Sequence, residues 1–333
     1  TLIGGSGNDL LDGGEGPDVM VGGTGNDTLA GGVGIDLADY SAATGNLTIN
    51  LASGTSIDTS TGGLGTDVLQ DIENITAGSG DDAVLGSADA NIIFGGEGAD
   101  TITGGAGSDT LTGGAGIDTL DYSTNTSAQG VVVNLNTNTA NDGLGGTDTL
   151  SGFEYVAGGA GGDSVTGNTG DNFLAGNDGL DYIDGGAGND ILVGGAGNDT
   201  ADYTAALAGM LITLGNDTQP GTTANSTTVS SGLGQDTLIS IENVLAGAGD
   251  DSITGNSADN FISAGAGNDT IDGGSGVDTI NAGAGNDRIV YNRFAVIDGG
   301  ADTDTLVLTD RVVDLVADAA LGGQITNIER LDL

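Results

Sequence analysis

The chain has 333 residues, 67 of them Gly, with 3% aromatics and no Trp, Cys, Lys or His, so disulfides, thiolate or imidazole metal sites and histidine catalysis are excluded. Forty-eight acidic residues face only Arg288, Arg293, Arg311 and Arg330, for a formal net charge of −44. A polyanion of this kind lacks the basic footprint that nucleic acid or anionic lipid needs, and its partner of choice is a cation.

In chain order, residues 1–3 read as the tail of a preceding nonapeptide. Units 4–12, 13–21, 22–30 and 31–39 then follow the pattern G-G-x-G-x-D-x-U-x, with U apolar at Leu11, Met20, Leu29 and Ala38. One apolar residue in nine cannot make a helical stripe. Instead x-U-x predicts a three-residue strand with U facing inward, and G-G-x-G-x-D predicts a turn, since Gly takes positive φ without steric cost. Such a strand buries its single apolar side chain only by stacking on copies of itself about 4.8 Å apart, so the U positions form an internal ladder on each wall of a flattened solenoid. The same frame returns over 95–121, 176–202 and 264–290.

A larger period rides on this one. Asp39-Tyr40-Ser41, Asp121-Tyr122-Ser123 and Asp202-Tyr203-Thr204 each close a nonapeptide run. A longer alternating strand follows (47–51, 131–135, 211–214), then a polar loop and one further unit (62–70, 143–151, 231–239). Ile72-Glu73-Asn74-Ile75, Phe153-Glu154-Tyr155-Val156 or Ile241-Glu242-Asn243-Val244 completes the block. These inserts read as enlarged rungs of one continuous solenoid over 1–333, because none has apolar residues enough for its own core. The sub-blocks are 1–76, 77–157, 158–245 and 246–307, with 308–333 a C-terminal β segment. Both ends look like cuts through a longer polypeptide. No apolar run approaches the roughly 20 residues of a membrane-spanning helix.

The sixth position holds Asp9, Asp18, Asp27, Asp36, Asp67, Asp82, Asp100, Asp109, Asp118, Asp148, Asp163, Asp181, Asp190, Asp199, Asp236, Asp251, Asp269, Asp278, Asp287 and Asp304. Stacking places carboxylates of alternate units above one another, which repels unless a cation lies between them. Each Asp offers two oxygens and each glycine turn exposes carbonyls. That all-oxygen set suits calcium, with six to eight ligands at about 2.4 Å, better than the tight octahedron of magnesium.

With this frame the chain resembles the RTX (repeats-in-toxin) calcium-binding proteins, whose signature is G-G-x-G-x-D-x-U-x. The resemblance implies an all-β, right-handed parallel β-roll with two nonapeptides per turn. Calcium would lie between units i and i+2, pairing Asp9 with Asp27, Asp18 with Asp36, Asp100 with Asp118, Asp181 with Asp199 and Asp269 with Asp287. Asp82 with Asp100, Asp163 with Asp181 and Asp251 with Asp269 would pair likewise. Asn91, Asn172 and Asn260 interrupt the row, as weaker sites or sites using an amide oxygen. The resemblance also implies type I secretion of an unfolded chain that folds outside the cell. With Kd about 10⁻⁴ M per site and external calcium about 10⁻³ M, each site contributes about 1.4 kcal/mol. About ten sites then match the whole net stability of an ordinary domain.

Tyr40, Tyr122 and Tyr203 are expected to cap the ladder rather than bind ligand, and Glu73, Glu154 and Glu242 to be structural or calcium-linked. Glu15, Pro17, Ile35 and Ile117 occupy unconstrained x positions. No active site is identifiable, so the chain is read as no enzyme. The expected function is an extracellular calcium-binding structural protein: part of a surface layer, filament or adhesin that self-associates by end stacking or cation bridges. The alternative is the secretion and folding domain of a toxin or hydrolase. An ice- or carbohydrate-binding solenoid fits less well, because the outward x positions Ser6, Glu15, Thr24 and Val33 form no regular row.

Overall fold

The computed structural model describes residues 1–52, 55–58, 64–126, 130–215, 227–230, 233–291, 293–308 and 324–332. Among them are 36 strands and no helix. Most of the polar loops of the first and third inserts, and residues 309–323 of the expected C-terminal segment, lie outside the described residues. The chain divides into two compact units, Thr1–Gly159 and Ala160–Leu333.

Within the first unit, successive nonapeptides alternate between two parallel sheets, so each strand pairs with the strand eighteen residues on. Leu2–Ser6 pairs with Val19–Thr24 (Leu2↔Met20), and Leu10–Glu15 pairs with Thr28–Val33 (Leu11↔Leu29). Further along the same spacing gives Ile93↔Leu111 and Ile102↔Leu120. The apolar eighth position turns inward at every rung: Met20, Leu29, Ile93, Ile102, Leu111 and Leu120 have no exposed surface. The second unit repeats this with Ile183↔Ala201, Leu174↔Leu192 and the file Ile253↔Ile271↔Ile289. Two nonapeptides per turn and a β-roll are thus the observed architecture.

Several strands are longer than three residues. Leu10–Glu15 and Ile92–Glu97 run on through the glycine pair, which pairs in register with the next turn (Gly14↔Gly32, Gly96↔Gly114). Bare glycine backbones approach closely enough to keep the ladder going into the turn. Gly114 shows the requirement: its φ is +130°, and a Cβ there would strike the carbonyl of Gly96.

The inserts enlarge a rung without ending the ladder. The register steps across each one in both sheets, from Leu29 to Leu69 and Ala38 to Ile75 at the first, Leu111 to Leu150 and Leu120 to Val156 at the second, and Leu192 to Leu238 and Ala201 to Val244 at the third. Each insert also adds antiparallel pairing that the alternating pattern did not reveal. Leu47–Asn50, Thr55–Asp58 and Thr66–Gln70 form an antiparallel meander, as do Val132–Asn134, Thr139–Asn141 and Thr147–Ser151, and the strands at Met210–Thr213, Thr227–Ser230 and Thr237–Ile239. The first strand of the first insert then rejoins the parallel ladder (Ile49↔Val84), and that of the third does the same (Ile212↔Ile253). Near the C-terminus, Gln324–Thr326 and Arg330–Asp332 continue the two sheets of the second unit.

Candidate metal centre

Successive turns are stitched together by an inner side-chain ladder and, at many turns, by an outer one of opposite sense. On the inside, the Asp of one turn accepts the backbone N–H of the Asp one turn earlier. Asp27 Oδ1 takes the N–H of Asp9 at 2.8 Å, Asp36 that of Asp18 at 2.7 Å, Asp118 that of Asp100 at 2.9 Å, and Asp287 that of Asp269 at 2.8 Å. On the outside, the fifth position points the other way: Asn8, Asp81, Asp171 and Asn268 accept from the N–H groups of Asn26, Ala99, Asn189 and Asn286. The outer ladder went unseen in the sequence, where the fifth position varies too much to look constrained.

The inner bond uses one carboxylate oxygen and leaves the other. Among the described residues, Oδ2 of Asp9, Asp27, Asp36, Asp100, Asp109, Asp118, Asp181, Asp190, Asp199, Asp251, Asp269, Asp287 and Asp304 is buried without a hydrogen-bond partner. A buried carboxylate oxygen so placed costs several kcal/mol unless something positive reaches it. Burial pushes six of these carboxyls upward, chiefly by desolvation, with neighbouring carboxylates adding to it: Asp181, Asp190 and Asp269 to about 7, and Asp100, Asp109 and Asp199 to about 6.

At several rungs a second oxygen meets Oδ2. There the space that a side chain at the first glycine would fill is lined by Oδ2 of the same unit and by a backbone carbonyl of the next turn. Gly4 has Asp9 and the Gly22 carbonyl, Gly95 has Asp100 and the Gly113 carbonyl, and Gly113 has Asp118 and the Gly152 carbonyl. A carboxylate oxygen and a carbonyl oxygen sharing one glycine cradle are hard ligands suited to calcium. Each Asp offers this cradle one oxygen, not two, because Oδ1 is spent on the N–H. Among the described residues no three acidic side chains gather at one point, so a cation here relies on carbonyls as much as on carboxylates.

The remaining sixth positions differ. Tyr40, Tyr122 and Tyr203 donate their hydroxyls to Oδ2 of Asp67, Asp148 and Asp236 at 3.0, 2.8 and 2.9 Å. The rings are buried, and burial raises the Tyr122 phenol, which keeps its proton on the oxygen that donates. The preceding Asp39, Asp121 and Asp202 each accept the N–H two residues on, fixing the turn that aims the ring inward. Asp82 Oδ2 accepts the Gly78 N–H at 3.1 Å. Asp163 and Asp278 are buried in the same row, and Asp18 is half-buried in it.

At the three Asn positions the amide oxygen lies in the same kind of glycine cradle, beside Gly86, Gly167 and Gly255, each with a carbonyl of the next turn. Oδ1 of Asn91, Asn172 and Asn260 accepts the N–H four residues earlier, from Ser87, Asn168 and Asn256. Nδ2 of Asn91 and Asn260 donates to the carbonyls of Glu73 and Glu242, both at 2.6 Å. An Asp could not donate, so these carbonyls explain the change of residue.

The glutamates take the place of a sixth-position Asp on the rung after each run. Oε2 of Glu73, Glu154 and Glu242 accepts the N–H of Asp36, Asp118 and Asp199 at 2.8, 3.0 and 2.9 Å. Glu329 does the same for Asp304 at 2.9 Å. It is a fourth member of the series, and Ile328-Glu329-Arg330-Leu331 carried the signal in the sequence.

A family model described as the RTX calcium-binding nonapeptide repeat (4 copies) matches residues 3–38, 70–102, 85–120, 166–201, 241–271 and 254–289, together just over half of the chain. No curated protein matches it.

Proposed function

The chain belongs to the RTX calcium-binding nonapeptide repeat family, and on that premise we propose that it is an extracellular structural protein, part of a surface layer, filament or adhesin, that folds when it meets millimolar calcium. The observation that carries this reading is the row of buried Oδ2 atoms, several of them facing a carbonyl across a glycine cradle. Bound calcium would sit among Asp Oδ2 and turn carbonyls and supply the positive charge that lets the row stay ionised. At submicromolar calcium the carboxylates oppose stacking, so the fold is conditional on the compartment. The recurring insert, with its tyrosine and glutamate at fixed places, supports an array more than the compact tail of an enzyme. A chain without His, Lys or Cys supports a role without catalysis.

Excess EGTA is expected to abolish the β signal in far-ultraviolet circular dichroism, and added calcium to restore it; a spectrum indifferent to chelation would overturn the reading. Self-association is the finer part of the proposal, since cations can bridge acidic lateral faces. Light scattering on the native, untruncated protein in millimolar calcium tests it, and a strictly monodisperse monomer refutes assembly while leaving calcium-dependent folding intact.

A further inference from the structure

One buried carboxylate lies outside the nonapeptide frame. Asp142 precedes Gly143-Leu144-Gly145-Gly146 in the second enlarged rung, where the sequence gives no reason to expect a ligand. Its side chain has no exposed surface. Oδ1 accepts three backbone N–H groups, from Leu144 at 2.8 Å and from Gly145 and Gly146 at 2.9 Å, while the Asp142 carbonyl accepts from Asn125 Nδ2. This anchoring fixes the carboxylate plane and turns Oδ2 inward, where it is buried without a hydrogen-bond partner.

What Oδ2 faces is the same pair of ligand types found along the ladder. The space a side chain at Gly146 would occupy lies against Asp142 Oδ2 and the backbone carbonyl oxygen of Gly107. Two oxygens converging on one point in this way stand within about 4 Å of each other, as two ligands of one calcium ion do when each is about 2.4 Å from it. The polarity of the cradle is reversed: its glycine follows the Asp instead of preceding it, and its carbonyl comes from an earlier turn. Asp109, two residues beyond Gly107, is a neighbour whose own Oδ2 is buried and unpartnered. Tyr122, which closes Asp148, directs its hydroxyl to that residue.

We propose that Asp142 Oδ2 and the Gly107 carbonyl hold a divalent cation of the calcium class at a site outside the repeat. Water completes the shell, and the Asp109 carboxylate nearby adds negative charge. In sequence the other inserts lack this Asp: the residues two before Leu64 and Leu233, the counterparts of Leu144, are Gly62 and Ser231. The inference rests on the calcium reading of the ladder, and its test separates the two.

Crystals of the full chain grown in calcium and soaked with terbium locate each ion by anomalous scattering, in the wild type and in Asp142→Asn. Asn keeps an oxygen for the three N–H groups and removes the anionic ligand. The expected wild-type map has peaks along the ladder and one between Asp142 Oδ2 and the Gly107 carbonyl, and Asp142→Asn loses that peak alone. Ladder peaks with none at Asp142 overturn the inference and leave the calcium reading standing, whereas no peaks anywhere overturn both. If Asp142→Asn does not fold, the wild-type map decides.

Discussion

The plain rungs and the enlarged rungs carry the same carboxylate and resolve its burial differently. At Asp100, Asp118 and Asp199, Oδ2 meets a carbonyl and no donor, so charge balance must come from outside the chain. At Asp67, Asp148 and Asp236 a tyrosine hydroxyl fills that role. Closure by a covalently attached donor does not depend on calcium concentration, and closure by an ion does. Calcium dependence is therefore expected to be graded along the chain, strongest within the nonapeptide runs and weakest at the rungs that separate them.

Acidity should disturb the plain rungs most, because it acts on several of them together. In the calcium-free chain the carboxyls of Asp181, Asp190 and Asp269 lie at about 7 and those of Asp100, Asp109 and Asp199 at about 6, against about 3.9 for an unfolded Asp. The folded state therefore binds more protons than the unfolded state between pH about 4 and about 7, and stability rises as pH falls through that window. Circular dichroism in EGTA should show β structure gained on acidification from pH about 8 to about 5. With calcium bound the ionised form is favoured and the slope reverses, so the profiles with and without calcium cross. Loss of order on acidifying the calcium-free chain would contradict the desolvation account.

Single substitutions sharpen the contrast. Asp181→Ala removes both a cradle oxygen and the acceptor for the Asp163 N–H. Losing a charged acceptor of this kind costs about 1.5–3 kcal/mol, and the calcium midpoint of folding should rise several-fold. Tyr122→Phe leaves Asp148 Oδ2 without its donor, at a cost of about 1–3 kcal/mol. Its distinguishing sign is that the loss in thermal stability shrinks as calcium is raised, the open carboxylate then behaving like that of a plain rung; a loss independent of calcium would mean that the hydroxyl does not stand in for an ion. Arg288→Ala should have the least effect. Its 2.9 Å ion pair with Asp332 is half-exposed on both sides, and exposed pairs contribute about 0–1 kcal/mol, so melting should shift by a few degrees at most.

Much of the plain rung was legible in the sequence. The glycine frame fixes where the chain turns, and the single apolar eighth position, at Leu11 or Ile102, needs an identical neighbour, so two-column stacking and the inward Asp row follow together. The enlarged rungs were less legible because their chemistry joins residues distant in sequence. Nothing near Tyr122 announces that its hydroxyl meets Asp148, and nothing near Asn91 announces the Glu73 carbonyl. The antiparallel strands were hidden for a different reason: the alternation in 131–135 suits either strand direction. Asp142 looked like a loop residue because Asp beside Gly usually caps an exposed turn. Only its complete burial sets it apart.

The inner ladder has a direction, and that direction bears on the order in which turns can be laid down. Each sixth-position N–H is donated to a carboxylate one turn nearer the C-terminus, as Asp9 donates to Asp27, Asp163 to Asp181 and Asp251 to Asp269. A stack growing from its C-terminal end presents a finished acceptor to each arriving turn, whose N–H is satisfied as it docks. A stack growing from its N-terminal end would bury each new N–H before its acceptor had arrived. The inner ladder is thus a polar template that favours winding toward the N-terminus, and the outer ladder, of opposite sense, favours the reverse.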